Sequence, residues 1–66
     1  MNESQQIENY IDKLGLAGFL EVIAEIASEK AQHISENWQD EGLAVSWQLA
    51  SDAIMKCAQR VHNEAL

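Results

Sequence analysis

Apolar residues recur every three or four positions along the chain, and this spacing predicts an all-helical protein without strands. We expect a short first helix over residues 4–14, with Ser4 as its N-cap. Gly15 should end this helix, because glycine tolerates a left-handed backbone. The apolar positions of the segment fall on one helical face: Ile7, Tyr10, Ile11 and Leu14. The first helix is therefore amphipathic and needs a neighbour to cover that face.

A second helix is expected over residues 16–38, and its apolar arc covers about half of the helix circumference. Lys30, His33 and Asn37 narrow this arc in the second half, so the first half requires more neighbours than the second. A first helix of about 11 residues, at about 1.5 Å each, would reach only as far as Ala27 if it folds back on the second. The sequence thus predicts a helix pair that a third helix covers at one end only.

A third helix is expected over residues 41–64, with Asp40 as its N-cap, after a polar turn at residues 39–42. Its apolar residues alternate spacings of four and three, as in an antiparallel coiled-coil seam: Leu43, Trp47, Ala50, Ile54, Cys57 and Val61. A single bent helix through Gly42 is the alternative to the turn. The expected fold is one domain over residues 1–66, an antiparallel helical hairpin with the short N-terminal helix packed on its open end as in a three-helix bundle.

Five residues near the turn form the candidate interaction surface: Ile34, Trp38, Val45, Trp47 and Leu49. Val45 and Leu49 lie on the far side of the third helix, away from its seam, where the short first helix does not reach. The two tryptophans either pack on each other or anchor a partner, because tryptophan is enriched in binding hot spots. An uncovered apolar cluster of this kind requires a second chain to cover it. We therefore expect a homodimer that assembles into a larger helical bundle.

The size and charge of the chain limit its function. A chain of 66 residues buries only about 60% of its unfolded surface, and its single cysteine excludes a stabilising intrachain disulfide, so self-association is favoured. A lone free thiol also favours a reducing, cytoplasmic location. The net charge of −7 argues against binding nucleic acid or anionic lipid by charge. The polar N-terminus argues against a signal peptide, and Glu21 and Glu25 interrupt the longest apolar-rich stretch, 14–27, which argues against a membrane span.

We find no residue spacing typical of a catalytic, cofactor or metal site. His33 has Glu29 and Glu36 within one helical turn, but the Glu-x-x-His spacing of di-metal bundles is missing, so a solvated or interfacial histidine is the favoured interpretation. Cys57 has no base within one helical turn and is expected to be a small buried hydrophobe at the edge of the seam. Lys30 is expected to lay its stem on the core, with its ammonium in water near Glu29 or an acid of another chain. We expect no enzyme activity, no cofactor and no bound metal.

The favoured function is a non-enzymatic protein–protein interaction module, regulatory or accessory, that acts as a homo-oligomer. One alternative is an acidic decoy that mimics nucleic acid and occupies a basic protein, because residues 1–41 carry nine acidic and two basic side chains. That function requires a continuous ridge of four carboxylates: Glu21, Glu25, Glu29 and Glu36. A further alternative is a metal-binding helical bundle at a dimer interface, where the symmetric partner supplies a second His33.

Overall fold

The computed structural model describes residues 2–64, and every regular element in that range is helical. Helix α1 covers Glu3–His33, a π-helical turn, π1, covers Ile34–Trp38, and helix α2 covers Glu41–Asn63. The expected all-α class is confirmed, but the structure has two α-helices rather than three, because the segment 4–14 belongs to α1. Neither α-helix of the described range is long and apolar enough to cross a membrane.

Gly15 breaks the helical backbone of α1 without ending the helix. Its φ of 80° and ψ of 157° lie in a region that glycine alone readily adopts, and the chain on both sides is helical. A single residue in this conformation turns the chain but supplies no loop, so the helix resumes at once in a new direction. We call residues 3–14 the arm and residues 16–33 the body of α1.

The arm projects away from the hairpin. All of its residues are exposed except Ile11, which is half-buried. Two packed helices are about 13 Å wide across their Cα atoms, and a helix of 12 residues is about 18 Å long. The sum of the two is about 31 Å, which matches the second of the molecular dimensions, 38 × 31 × 12 Å, if the arm runs sideways from the hairpin. The structure thus does not confirm the expected three-helix bundle. Folding back beside a helix takes a loop of about two to five residues, and Gly15 supplies only one.

The N-cap of α1 differs from the expected residue, whereas the N-cap of α2 is the expected one. Asn2, rather than the expected Ser4, caps α1, because the Asn2 side chain accepts a hydrogen bond from the backbone N–H of Gln5 at 2.8 Å. Asparagine and serine are nearly equal as caps, so residue type alone does not separate them. The expected Asp40 cap is confirmed, since the Asp40 carboxylate accepts a hydrogen bond from the backbone N–H of Leu43 at 3.1 Å.

The hairpin turn consists of Gln39 and Asp40, which confirms the expected turn and rules out a single bent helix. Gln39 adopts a left-handed backbone with φ of 55°. The preceding turn, π1, is wider than an α-helical turn, and the Asn37 side-chain amide donates a hydrogen bond to the His33 carbonyl at 3.0 Å. This bond ties the Asn37 side chain back to the last residue of α1.

Helix α2 packs antiparallel against the body of α1 along a seam of small side chains. The buried members of the seam are Ala24, Ala27 and Ala31 from α1, and Ala44, Ser51 and Ala58 from α2. Two hydrogen bonds fix the register: the Ser51 hydroxyl donates to the Ala24 carbonyl at 2.7 Å, and the Ser35 hydroxyl donates to the Glu41 carboxylate at 2.9 Å. Because alanine and serine side chains end close to the backbone, this seam allows a short distance between the helix axes.

The observed seam on α2 is not the expected one. The residues expected there are half-buried or exposed and lie beside the observed seam: Leu43, Trp47, Ala50, Ile54, Cys57 and Val61. Ala44, Ser51 and Ala58 are spaced by seven residues, which is the same period, so periodicity does not distinguish the two stripes. The smaller stripe forms the seam because it permits the closer approach and the Ser51 hydrogen bond. Cys57 is exposed, so its expected burial is wrong.

Candidate functional site

Large apolar side chains line one side of the hairpin, next to the seam. We call this surface the apolar face, and its members are Phe19, Ile23 and Ile26 from α1, and Leu43, Trp47, Ile54 and Val61 from α2. Each is half-buried or exposed, and Ile26 keeps 45% of its surface accessible. Among residues 2–64, no large side chain is fully buried. The seam therefore holds the two helices together while their bulky side chains stay in contact with water.

The opposite side of the hairpin is mainly polar. The groove on that side is lined mostly by serine and glutamine: Ser28, Gln32, Ser35 and Gln48, with Val45 at its edge. Ser28 and Gln48 are joined across the two helices by a side-chain hydrogen bond of 3.4 Å, and Gln48 also donates to the Asp52 carboxylate at 3.1 Å. The two sides of the hairpin thus differ in chemistry, and only one of them is suited to apolar contact.

A concavity lies at the turn end of the apolar face. We call it the indole concavity, and it is lined by Ile26, Glu29, Lys30, His33, Ile34, Trp38, Leu43 and Trp47. The Lys30 ammonium lies 5.6 Å from the centre of the Trp47 ring, within the range of a cation–π contact. The rings of His33 and Trp38 meet edge to face with their centres 6.4 Å apart. The concavity therefore combines an apolar floor with the polar side chains of Glu29, Lys30 and His33.

The five residues of the candidate interaction surface lie on three different sides of the hairpin. Ile34 is buried, and it lines the indole concavity together with Trp38 and Trp47. Val45 lies at the polar groove on the opposite side, and Leu49, 63% exposed, points away from α1. Regular α-helical spacing would direct the Trp38 side chain toward α2. Each residue of π1 turns the chain by less than the 100° of an α-helix, so the Trp38 side chain does not reach that direction and remains 67% exposed.

The side chains that could in principle react or bind a metal ion make ordinary noncovalent contacts. Asn37 donates its side-chain amide toward Nδ1 of His33 at 3.1 Å. Among the residues from 2 to 64, no group of three or more His, Cys, Asp or Glu side chains could hold a metal ion, so the expected metal-bundle alternative gains no support from one chain. Lys30 was expected to lay its stem on the core with its ammonium in water; its side chain is exposed, and its ammonium lies over the Trp47 ring.

An acidic ridge follows the outer edge of α1, on the side turned away from α2. Glu21, Glu25 and Glu29 are exposed and are spaced by four residues, or about 6 Å along the helix. His33 occupies the next position of this row, and Glu36 follows in π1. The ridge is therefore continuous over three carboxylates and is interrupted before the fourth.

No protein-family model, no curated protein and no solved structure matches this chain. The members of the apolar face that periodicity missed as surface residues are Phe19, Ile23 and Ile54, because the sequence assigns them to the core. The signal that could have found them is the seven-residue spacing of small residues in α2, which marks the seam and leaves the large residues outside it.

Proposed function

We propose that this chain is a non-enzymatic protein–protein interaction module, regulatory or accessory, that acts as a homodimer through its apolar face. One observation carries the proposal: the hairpin is a single layer with a seam of small residues, and most of its large apolar side chains lie together on one side, where they are only partly buried or exposed. A layer with one apolar side needs a second layer to bury that side. The lone free thiol of Cys57 favours the cytoplasm as its location.

The accessible surface area of the chain is large enough for a protein interface of standard size. The chain has an accessible surface of 5074 Å², whereas a compact monomer of this length is expected to expose about 4200 Å². The projecting arm contributes part of this excess of about 900 Å², which is similar in size to the roughly 800 Å² that each partner buries in a standard protein interface. The radius of gyration of 13.6 Å also exceeds the roughly 11 Å expected for a compact domain of 66 residues.

A second copy of the chain is the partner that fits the face. Two hairpins stacked through their apolar faces form a four-helix bundle, and a two-fold axis pairs the same surface with itself. The carboxylates of Glu21 and Glu25 lie on the outer edge of α1, and that of Asp52 belongs to the polar side, so this stacking does not press them together. The carboxylate of Glu29 borders the face beside Lys30, so the net charge of −7 opposes the stacking mainly at longer range, where salt screens it.

The test compares two substitutions that add the same charge to exposed apolar positions. Ile26→Asp places a carboxylate on the apolar face, and Leu49→Asp places one on the far side of α2. Both side chains are accessible in a single chain, so neither change should unfold it. In sedimentation equilibrium at fixed concentration, Ile26→Asp should be monomeric, and Leu49→Asp should keep the dimeric mass of the wild type. A wild-type chain that stays monomeric at millimolar concentration would exclude the proposed function.

A second candidate function is an acidic decoy for a basic protein, and the ridge of Glu21, Glu25 and Glu29 favours it. Glu21 and Glu25 lie outside the proposed dimer interface, whereas Glu29 also lines the indole concavity at its edge. A decoy should capture basic nucleic-acid-binding proteins at low salt and release them as salt screens the charges. Replacing the three glutamates by glutamine should abolish capture. Capture that is unaffected by salt or by these replacements would argue against the decoy.

A further inference from the structure

The apolar side of the hairpin is built in layers, each made of one residue from α1 and one from α2. The Lys30 ammonium lies 5.6 Å from the centre of the Trp47 ring, so these two residues occupy the same level along the hairpin. Because the helices are antiparallel, equal steps backwards in α1 and forwards in α2 reach the next level. Steps of three and four residues stay on one side of a helix. The next two levels are therefore Ala27 with Ala50, and Ile23 with Ile54.

The layers differ in size along the hairpin. We call Lys30 with Trp47 the indole layer, Ala27 with Ala50 the alanine layer, and Ile23 with Ile54 the isoleucine layer. The same steps add three outer layers: Ile34 with Leu43, Leu20 with Cys57, and Leu16 with Val61. The members that line the indole concavity recur at seven-residue intervals in the other layers, and this interval keeps one direction along a helix pair. Large and small pairs thus follow one another on a single surface.

A two-fold axis can stack two such surfaces in two ways. With the turns at the same end, the axis runs along the helices, so every layer must meet its own copy at the same level. The two alanine layers would then face each other and leave a void, because no larger side chain reaches between them. The two indole layers would crowd two indoles and two ammonium groups into one level. This orientation therefore packs poorly at both places.

With the turns at opposite ends, the axis crosses the helices between the isoleucine layer and the alanine layer. Each isoleucine layer then meets the alanine layer of the other copy, so a large pair lies against a small pair. The indole layer meets the layer of Leu20 and Cys57, which places the small thiol of one copy against Trp47 of the other. The Lys30 ammonium groups are offset by about 15 Å along the bundle. The Glu29 carboxylates are offset by about 12 Å, more than the screening length of about 10 Å in 0.1 M salt.

We propose that the two hairpins stack with their turns at opposite ends, so that the open end of each hairpin covers the indole concavity of the other copy. This inference rests on the proposed homodimer and specifies its orientation. Leu16 and Val61 form the layer at the open end. In the dimer they lie against the layer of Ile34 and Leu43 of the other copy, both of which line the concavity. The concavity is thus a part of the dimer interface that only the second copy completes.

The test measures the distance between the two turns of the dimer by pulsed electron paramagnetic resonance. One spin label per chain is attached at Gln39→Cys, which is exposed at the turn, in the full-length chain with its native thiol removed by Cys57→Ser. Turns at opposite ends place the labels about 40 Å apart, whereas turns at the same end leave only the width of two helices, under about 25 Å. In a dimeric sample, any distribution without the longer distance overturns the orientation and keeps the proposed homodimer. A monomeric mass in sedimentation excludes both.

Ala50→Ile gives an independent readout whose sign differs between the two orientations. Ala50 is exposed in the single chain, so the larger side chain leaves the hairpin intact. In the proposed orientation it collides with Ile54 of the other copy, and the dissociation constant of the dimer in sedimentation equilibrium should rise about tenfold. With the turns at the same end it would fill the void between the alanine layers and tighten the dimer. Ala53→Ile, on the outer edge of α2, is the matched control and should stay within about threefold of the wild type. An unchanged or lower constant for Ala50→Ile would contradict the proposed orientation.

Discussion

The hydroxyl of Ser51 donates a hydrogen bond to the backbone carbonyl of Ala24 at 2.7 Å, at the centre of the contact between the two helices. Ser51 is the only buried polar residue among residues 2–64. The Ala24 carbonyl also belongs to the body of α1, so this bond joins a side chain of one helix to the backbone of the other. It sets the register along which the alanines of the seam meet.

Replacing Ser51 by alanine should lower the free energy of unfolding by about 1 kcal/mol, the usual net value of one buried hydrogen bond. In a chain of this size that loss corresponds to a fall of about 4–8 °C in Tm. Thermal unfolding at fixed protein concentration measures it. Ser46→Ala is the matched control, because the Ser46 hydroxyl bonds only to the Gly42 carbonyl on the exposed surface. Equal shifts in the two variants would show that the Ser51 bond does not stabilise the hairpin.

Enlarging a seam alanine should be far more damaging than enlarging an outer one. Ala58 has no accessible surface, so Ala58→Leu should force the helices apart and cost about 1–3 kcal/mol. Ala53 is exposed on α2, and the same change there should stay within about 0.5 kcal/mol. Urea unfolding curves at one protein concentration provide both values. If Ala58→Leu is as stable as the wild type, the seam is not as tightly packed as described.

Gly15→Ala should straighten α1. An L-residue keeps the φ of 80° and ψ of 157° only at a cost of about 1–3 kcal/mol, whereas alanine is the best helix former. The arm should then run on from the body of α1, and residues 3–38 would form a rod of about 54 Å. Small-angle X-ray scattering should show a longer maximum dimension than in the wild type. Gly18→Ala, at a helical position, should leave this dimension unchanged, and a similar increase there would contradict the role of Gly15.

Gln39→Gly should stabilise the hairpin. Gln39 has φ of 55°, and the left-handed conformation costs a residue with a Cβ about 1–2 kcal/mol, a cost that glycine avoids. Part of this gain is offset by the larger entropy of glycine in the unfolded chain, so a net gain of about 0.5–1 kcal/mol is expected. Thermal unfolding measures it, with Gln39→Ala as the control that retains the Cβ. A loss of stability in Gln39→Gly would contradict this explanation of the turn.

Local signals in the sequence predicted much of the fold. The class, the turn, the Asp40 cap and the first residue of α2 agree with the structure. Each of these features depends on the conformational preferences of a few neighbouring residues, and these preferences are largely independent of the rest of the chain. The kink at Gly15 was also located by its residue type, although the sequence does not show that the helix resumes immediately after it.

Contacts between helices were harder to predict. Two stripes of α2 share the seven-residue period, and hydrophobicity favoured the stripe of Trp47 and Ile54 over that of Ala44 and Ser51. The choice depends on the distance between helix axes, which a single sequence does not report. The direction of Trp38 depends on π1, whose wider turn has no clear residue signature. These two errors explain why the candidate surface named from the sequence is divided among three directions.

The seam of small residues separates two roles that most small helical proteins combine in the same side chains. Ala24, Ser51 and Ala58 determine how closely the two helices approach, and the bulky residues beside them are only partly buried in the single chain. Exchanges of one apolar side chain for another at these partly buried positions should therefore leave the seam and the backbone in place. Descendants of one ancestral hairpin could in this way acquire distinct and mutually exclusive pairing preferences while keeping an identical backbone.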